Sequence, residues 1–496
     1  MSWLMLASIQ ARNPMVLQAG DTLLRMLLFW SIFLPLGACF SIDRALDSSE
    51  KNPPQIILSP ASFAILMQVC LVYWMGAAYK TGSAWSWSQA TAVYEALMLD
   101  QFATAAGEYL RQFPALLKWL TRYTYWLEIL GPSLMFLPFF TQRLRIILVA
   151  LMASLHIGFA IHMELGLFSY ISVTAWLLFL PSLFWDKIFH RLKTTQRLGL
   201  KIYYDRDCGF CRRWVKILKE FLLLPETQVD TAQSDPAIHA VMERENSWVV
   251  QDVSGKQHIR FEGIITLFRH SPYAWFLAPL LRLWPINSLG QKFYRWVAGH
   301  RMIASSWVRF IKFREQKWTI AGWQSVMVIF LFLCSLWWNI HPFVSSSVKK
   351  QVPNPVYWIT HAFRLEQKWN MFSPRPLLND GWYVLAATLK DGTKIDLMKA
   401  DQKLDFAKPK NVSATYPNQR WRKYMMNLYK RREHLSLFAS YQCRLWNLFY
   451  QNTNKMEELE INFMLERTLP YPQKSSVKKE HLLTYECKEA SANSPR

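Results

Sequence analysis

Apolar residues in this chain gather in long uninterrupted blocks over its first 190 positions and around 330, and in short alternating runs elsewhere. Crossing roughly 30 Å of hydrocarbon takes about 20 helical residues. Blocks of that order occur near 22–40, 56–78, 124–140, 144–163, 167–185 and 323–341, and each predicts a membrane helix. A further stretch, 89–122, is helical in pattern but carries Glu95, Asp100, Glu108 and Arg111, so it reads as a surface helix or as a polar span lining a cavity.

Residues 198–271 change character, with short β-branched runs, turn residues and mixed charges. The pattern predicts strand 200–204, helix 208–224, strand 227–230, helix 235–244, strand 247–253, a Ser254-Gly255 turn, strand 257–261 and helix 262–270. Residues 272–318 read as amphipathic helices rich in Trp, Phe and Arg, suited to a membrane surface. Beyond the last span lies a second soluble stretch, 345–496. There Asp391-Gly392, between the alternating runs Trp382 to Lys390 and Thr393 to Met398, is a strong hairpin signal. No repeat and no low-complexity tract is visible.

Composition supports the membrane reading: hydrophobic residues make up 52% and charged residues 19%, with 24 Trp, many beside the apolar blocks. The formal net charge of +22 is spread over loops and comes with no nucleic-acid recognition motif, so anionic lipid is the expected counter-charge. Seven cysteines in 496 residues do not make a disulfide framework. Cys39, Cys70 and Cys334 lie in apolar runs and read as small buried hydrophobes. The first charge, Arg12, follows the short apolar amino-terminal stretch instead of preceding it, so the first span is expected to act as an uncleaved insertion signal.

Basic loops set the expected orientation. Arg143 and Arg145 on one side, and Lys187, Arg191, Lys193, Arg197 and Lys201 on the other, flank a loop whose charge is Glu164. Arg301, Arg309, Lys312, Arg314 and Lys317 precede the last span, against Lys349 and Lys350 after it. The 198–271 insert is therefore expected in the cytoplasm and the carboxyl-terminal stretch outside, in a bacterial inner membrane.

The chemistry-bearing motif is Tyr203-Tyr204-Asp205-Arg206-Asp207-Cys208-Gly209-Phe210-Cys211-Arg212-Arg213-Trp214, a strand feeding directly into a helix. Free N–H groups and the positive end of the helix favour a thiolate at Cys208, and Arg212, Arg213 and Lys216 add positive charge; Asp205 and Asp207 oppose it. The two-residue spacing brings both sulfurs to the first helical turn, where one thiolate can attack a disulfide and the other resolve the mixed disulfide. Two blander readings stand beside this one: a zinc half-site, though His239, His258 and His270 are single, or two idle cysteines.

The run Asp-x-Asp-Cys-x-x-Cys, followed by Pro272, Trp275, Pro285, Tyr294 and Arg301, resembles the DCC family of thiol-disulfide oxidoreductases over about 199–305. That resemblance implies a thioredoxin-like fold with Cys208 as nucleophile and Cys211 as resolving cysteine. Thioredoxins carry a cis-proline before a central strand, whereas Asn246-Ser247 stands there in this chain.

A second resemblance covers about 10–190 and part of 345–400. Gly20-Asp21-Thr22-Leu23-Leu24-Arg25, Tyr79-Lys80 with Trp85 and Trp87, Leu127-Glu128-Ile129-Leu130-Gly131-Pro132, Leu155-His156 and Gln367-Lys368-Trp369-Asn370-Met371-Phe372-Ser373-Pro374 resemble the HTTM domain, related to vitamin K-dependent γ-carboxylases. It implies that Lys80 is the position of a base acting on a quinol, against the plain alternative of a lysine snorkelling at a membrane boundary. Glu128 and His156, inside apolar helices, read either as functional or as partners in helix packing. Cys443 and Cys487 are candidates for a structural disulfide.

The expected fold is thus a multi-pass α-helical membrane protein (1–190, with a single further transmembrane helix at 323–341) bearing an inserted α/β thioredoxin-like domain (198–305) and a carboxyl-terminal soluble α+β region (345–496). The expected function is a membrane-bound thiol-disulfide oxidoreductase acting on a protein or small-molecule thiol or disulfide, with catalytic Cys208 and Cys211 supported by Asp205, Asp207 and Arg212. Dithiol chemistry needs no cofactor and no metal. The alternatives are a carboxylase-like or quinone-dependent membrane enzyme using Lys80, Glu128 and His156 with a quinone, and a non-catalytic membrane scaffold. The expected partner is the lipid bilayer and not nucleic acid; no pattern in the chain sets an oligomeric state.

Overall fold

The computed structural model describes residues 1–49, 56–301, 303, 306, 312–316, 318–319, 321–344, 353–399, 403–450, 454–469, 473 and 475–487. Arg309, Lys317, Lys349 and Lys350, which entered the expected orientation, lie outside the described residues, as do parts of the 272–318 and 345–496 stretches. The chain forms two compact units. One comprises Met1–Ile32, Pro60–Pro181 and Val326–Arg496; the other comprises Phe33–Ser59 and Ser182–Ser325.

In the first unit, three helices are long and apolar enough to cross a membrane: Pro60–Tyr79, Thr141–His162 and Gly322–Phe343. The apolar run of Phe168–Phe179 ends there, because Pro181 offers no N–H to a continuing helix and pushes Leu180 into an extended conformation, with ψ 127°. The expected span at 22–40 is corrected: the helix there is Ala19–Ser31, and its 13 residues rise only ~20 Å. Pro35 follows, and the chain turns through Leu36–Ala38 into Ile42–Ala45, which packs on the Gly209–Phe221 helix of the second unit to which it belongs. The expected span at 124–140 instead begins at Pro114 and ends at Leu134. The 89–122 stretch is neither a single surface helix nor a span. It breaks into Ala92–Leu97, Ala105–Leu110 and the start of Pro114–Leu134, where Pro114 opens the new helix.

The second unit carries a four-stranded sheet made of β1 (Lys201–Tyr204), β2 (Gln228–Thr231), β3 (Val249–Gln251) and β4 (Gln257–Ile259), in the order β2-β1-β3-β4. β1 pairs with β2 in parallel, with Ile202 opposite Val229, and antiparallel with β3, with Ile202 opposite Val250. Helices Gly209–Phe221, Pro236–Glu245 and Arg260–His270 stand where helices were expected, with ends that differ by up to three residues. Period-2 alternation explains the packing. Ile202 and Val250 meet Val215, Leu222 and Leu267 on one face of the sheet, while Tyr203 and Val249 meet Ile238 and Met242 on the other.

In the first unit's carboxyl-terminal region, β5 (Asn379–Leu389), β6 (Lys394–Asp396), β7 (Met456–Arg467) and β8 (Val477–Glu486) form an antiparallel sheet in the order β6-β5-β7-β8. The Asp391-Gly392 turn joins β5 to β6; Gly392 has φ +81°, and Asp391 accepts from the Thr393 N–H at 2.8 Å. Helices Gln419–Lys430 and Leu435–Phe449 bury Leu428, Phe438 and Ala439 against Leu385, Ala387, Leu459 and Ile461. Cys443 of the latter helix is joined to Cys487, just past β8, across a sequence separation of 44 residues.

Because a cross-link of that separation removes chain entropy from the unfolded state, Cys443→Ser should destabilise this region by roughly 2–4 kcal/mol. The thermal midpoint of the variant, followed by near-ultraviolet circular dichroism, should fall. An unchanged midpoint would mean that the pair does not form in the isolated protein.

Candidate functional site

β1 ends at Tyr204, and its last side chains are fixed in the core, so the next four residues must turn the chain into the Gly209–Phe221 helix. Asp205 organises that turn. Its Oδ1 accepts from the Asp207 N–H at 3.1 Å and from Gln233 Nε2 at 2.8 Å, while its carbonyl accepts from the Cys208 N–H at 3.1 Å. Gln233, in the turn after β2, returns the contact by accepting from the Arg206 N–H at 3.1 Å. The loop before the first cysteine is thereby tied to the neighbouring parallel strand.

Cys208 is the N-cap of the helix, and its Sγ accepts from the Cys211 N–H at 3.2 Å. A cap residue satisfies backbone donors that have no partner inside the helix, and a thiolate does so with its full charge at the positive end of the dipole. Cys208 and Cys211 are half-buried, their Cα atoms are 5.3 Å apart, and their sulfurs stand at disulfide distance. The arrangement can hold the pair as a dithiol or a disulfide, with the first sulfur stabilised as a leaving group.

Three cations follow on the helix. Arg212, Arg213 and Lys216 lie 4.6, 6.0 and 5.4 Å from the centroid of the Phe313 ring. Attraction of cations to the ring face holds like charges together at modest cost. Lys216 is pushed below the usual lysine range, first by burial and then by Arg212 and Lys219. Of the expected supporting residues, Asp205 is therefore a loop anchor and Arg212 an exposed member of the basic cluster. Asp207 is exposed, and its backbone N–H donates to Asp205.

Ser247, where thioredoxins have a proline, is fully buried. Its hydroxyl donates to the Trp248 carbonyl at 2.7 Å, accepts from the Arg260 N–H at 2.6 Å and lies 3.0 Å from the Tyr294 hydroxyl. It ties β3 to the helices that follow. His258 is paired with Asp252 at 2.9 Å, which together with Ser254 holds that carboxyl far below the usual range. Among the described residues, no group of three or more His, Cys, Asp or Glu is placed to hold a metal.

The residues singled out in the apolar helices come together in the first unit. Lys80, 7% exposed at the end of Pro60–Tyr79, is ion-paired with Glu128 of Pro114–Leu134 and sits 4.5 Å from the Trp85 ring. His156 Nε2 is 2.6 Å from the Tyr73 hydroxyl, which accepts from Trp176 Nε1 at 2.8 Å. Lys80, Glu128 and His156 all line one cavity of about 1120 Å³, as do residues 366–373. Within that segment Gln367 exchanges amide hydrogen bonds with Gln68, at 2.7 and 3.3 Å, and Trp369 is fully buried. The sequence reading missed Gln68, although an amide inside an apolar span was the available signal; it also missed Tyr73, Trp176, Gln233 and Phe313, which no local pattern marks.

No curated protein and no solved structure matches the chain. No family model supports the HTTM resemblance of residues 10–190. The cysteine-bearing segment is different: residues 202–307 match the sequence model of the family described as DCC1-like thiol-disulfide oxidoreductase.

Proposed function

We propose that the protein is a membrane-anchored thiol-disulfide oxidoreductase in which Cys208 attacks and Cys211 resolves. The observation that carries this reading is Cys208 at the helix N-cap, at disulfide distance from Cys211, inside the segment that matches the oxidoreductase family. In the reducing direction, the Cys208 thiolate attacks one sulfur of a substrate disulfide, a mixed disulfide forms and the first substrate thiolate leaves. The Cys211 thiolate then attacks the Cys208 sulfur, releasing the second substrate thiolate and leaving the Cys208–Cys211 disulfide. Two electrons pass from the dithiol to the substrate, and an external thiol or dithiol reductant restores the pair. The apolar helices Pro60–Tyr79, Thr141–His162 and Gly322–Phe343 support membrane anchoring. The basic residues around Arg143 and from Lys187 to Lys201 support a cytoplasmic redox unit, where thiols stay reduced and a catalytic pair is favoured over a structural one.

A second reading, a quinone-dependent activity with Lys80 as base, is favoured by the meeting of Lys80, Glu128 and His156 on one cavity. In that reading, Lys80 must give up both its proton and its ion pair with Glu128 before it can accept a proton.

Three outcomes test these readings. In Cys211→Ser, mixed disulfides through Cys208 should accumulate and be resolved by non-reducing electrophoresis and mass spectrometry; absence of any adduct, with the parent showing no redox-dependent mobility change, would overturn the first reading. Arg212→Gln removes one nearby cation, worth roughly 0.3–1 kcal/mol to a thiolate at a helix N-terminus, and should raise the Cys208 pKa by about half a unit. The pH dependence of iodoacetamide alkylation in the Cys211→Ser background measures that shift. For the second reading, turnover of an added quinol by the reconstituted protein should be abolished in Lys80→Ala; turnover that survives the substitution removes Lys80 from any mechanism.

A further inference from the structure

The cavity in the first unit has one wall whose chemistry neither reading uses. The Gln419–Lys430 helix turns Arg422, Lys423, Met426 and Lys430 toward it, positions spaced to share one helix face. Arg422 is 3% exposed. Its guanidinium stacks 4.0 Å from the Phe102 ring centroid, and its Nη2 donates to the Glu164 carbonyl at 2.6 Å. Nε and Nη1 are equally buried and donate to no acceptor among the described residues. Burial lowers the guanidinium to about 10, partly offset by Tyr416 and by the carboxylates of Glu164 and Asp380, neither of which is in ion-pair contact, so it remains a cation at neutral pH. A buried charge that is neither ion-paired nor fully hydrogen-bonded is costly, and the usual remedy is an anion.

The remaining lining sharpens the ligand's character. Eight Lys or Arg line the cavity against two carboxylates, Glu128 and Glu366. Glu128 is taken by Lys80, and Glu366 by Arg25 and Arg364, while Arg375 pairs with Glu95 outside the lining. No ion pair among the described residues involves Lys368, Arg422, Lys423 or Lys430. Phe102, whose ring carries Arg422, adjoins this basic edge and continues it into apolar lining with Leu97, Met163 and Phe168. The volume of about 1120 Å³ exceeds the roughly 300–1,000 Å³ typical of sites for drug-sized molecules.

We propose that this cavity is a binding site for an amphiphile with an anionic headgroup, a carboxylate or phosphate received by Arg422 with its hydrocarbon body against the Phe102 and Met163 wall. Binding here is independent of whether the Cys208–Cys211 pair or Lys80 is catalytic. Arg422 supplies charge-assisted hydrogen bonds to the headgroup, and the two lysines on its helix face add long-range attraction.

The test uses the full chain in phosphatidylcholine nanodiscs and a fatty acid carrying a photoactivatable diazirine on its chain, with adducts mapped by mass spectrometry. Labelling should be saturable and fall on the segments containing Phe102 and Met163. Oleate should compete about tenfold better than oleyl alcohol, since the alcohol cannot form the charge-assisted contact. Lysophosphatidate as a third competitor distinguishes the headgroups: whichever acid displaces the probe at lower concentration identifies the source. Arg422→Gln should reduce labelling about tenfold, and Arg422→Lys should recover part of it. Should Arg422→Gln fail to fold, as judged by its thermal midpoint, Gly158→Phe decides. Gly158 lines the cavity and a Cβ there meets no atom within 4 Å, so the added ring fills the space and should reduce labelling while Arg422 stays intact. Equal competition by oleate and oleyl alcohol, or undiminished labelling in folded Arg422→Gln or in Gly158→Phe, would overturn the site.

Discussion

A polar side chain taken out of water among apolar helices costs several kcal/mol unless something satisfies it. In a chain that is 52% hydrophobic, that constraint decides which helices meet and where. The ion pair of Lys80 with Glu128 fixes the end of Pro60–Tyr79 against Pro114–Leu134. Tyr73, His156 and Trp176 lock Pro60–Tyr79 to the next two helices through one shared hydroxyl. Gln68 and Gln367, 299 residues apart, exchange amide bonds and so bind the segment after the last apolar helix into the bundle. Each contact is worth little in water; inside the bundle its loss would strand a buried donor or acceptor, at about 1–3 kcal/mol apiece.

The same constraint explains what could be read in advance. The order of elements in the 198–271 stretch was legible, with ends off by up to three residues, because alternating apolar positions and turn residues are local signals, and the sheet only had to bring them together. The hairpin at Asp391-Gly392 was legible for the same reason. Hydropathy alone misjudged 22–40 and 89–122. In the first, Pro35 ends a run whose composition looks continuous, and Asp21 and Arg25 are buried by partners distant in sequence, Arg420 and Glu366. In the second, the charges that argued for a single amphipathic helix are spent on tertiary ties: Glu95 to Arg375, and Asp100 to Arg111 and Lys408. A window of sequence cannot register a partner 280 residues away. The joining of Cys443 to Cys487 had no local signal for the same reason, since only the packing of a helix against an edge strand brings them together.

At the Cys208–Cys211 pair, the local and tertiary signals divide the work. Cys208 at the helix start was legible from strand, motif and helix; what holds it there was not. Asp205 reads in the sequence as a charge opposed to a thiolate. In the fold its Oδ1 is occupied by the Asp207 N–H and the Gln233 amide, so much of its charge is spent on building the loop. Asp205, the first aspartate of the Asp-x-Asp-Cys motif, thus holds the loop, with Gln233 as its counterpart in the turn after the adjacent strand. The basic cluster likewise gathers on the Phe313 ring, about 100 residues further along, with no ion pair to a carboxylate among the described residues. That choice matters electrostatically: an aromatic face gathers cations without neutralising them, and leaves their field available to a sulfur at the helix N-terminus.

Lys80 and Arg422 face the same cavity, and the contrast between them separates a structural charge from one available to a ligand. Lys80 has a carboxylate at hydrogen-bond distance and an aromatic face beside it, so its burial is compensated within the protein. For it to act in chemistry, Glu128 must be displaced or neutralised first, which sets a cost on any mechanism that begins there. Arg422 is as deeply buried, but its direct protein partners are one carbonyl and one ring, which satisfy a single N–H; Glu164 and Asp380 act on its charge only at longer range, and no ion pair among the described residues involves it. Burial of a cation on these terms lowers stability unless something outside the chain repays it. A headgroup anion of the kind proposed would do so without disturbing the Lys80–Glu128 pair, which makes the basic edge, and not the central ion pair, the part of the cavity best prepared to receive an anionic amphiphile.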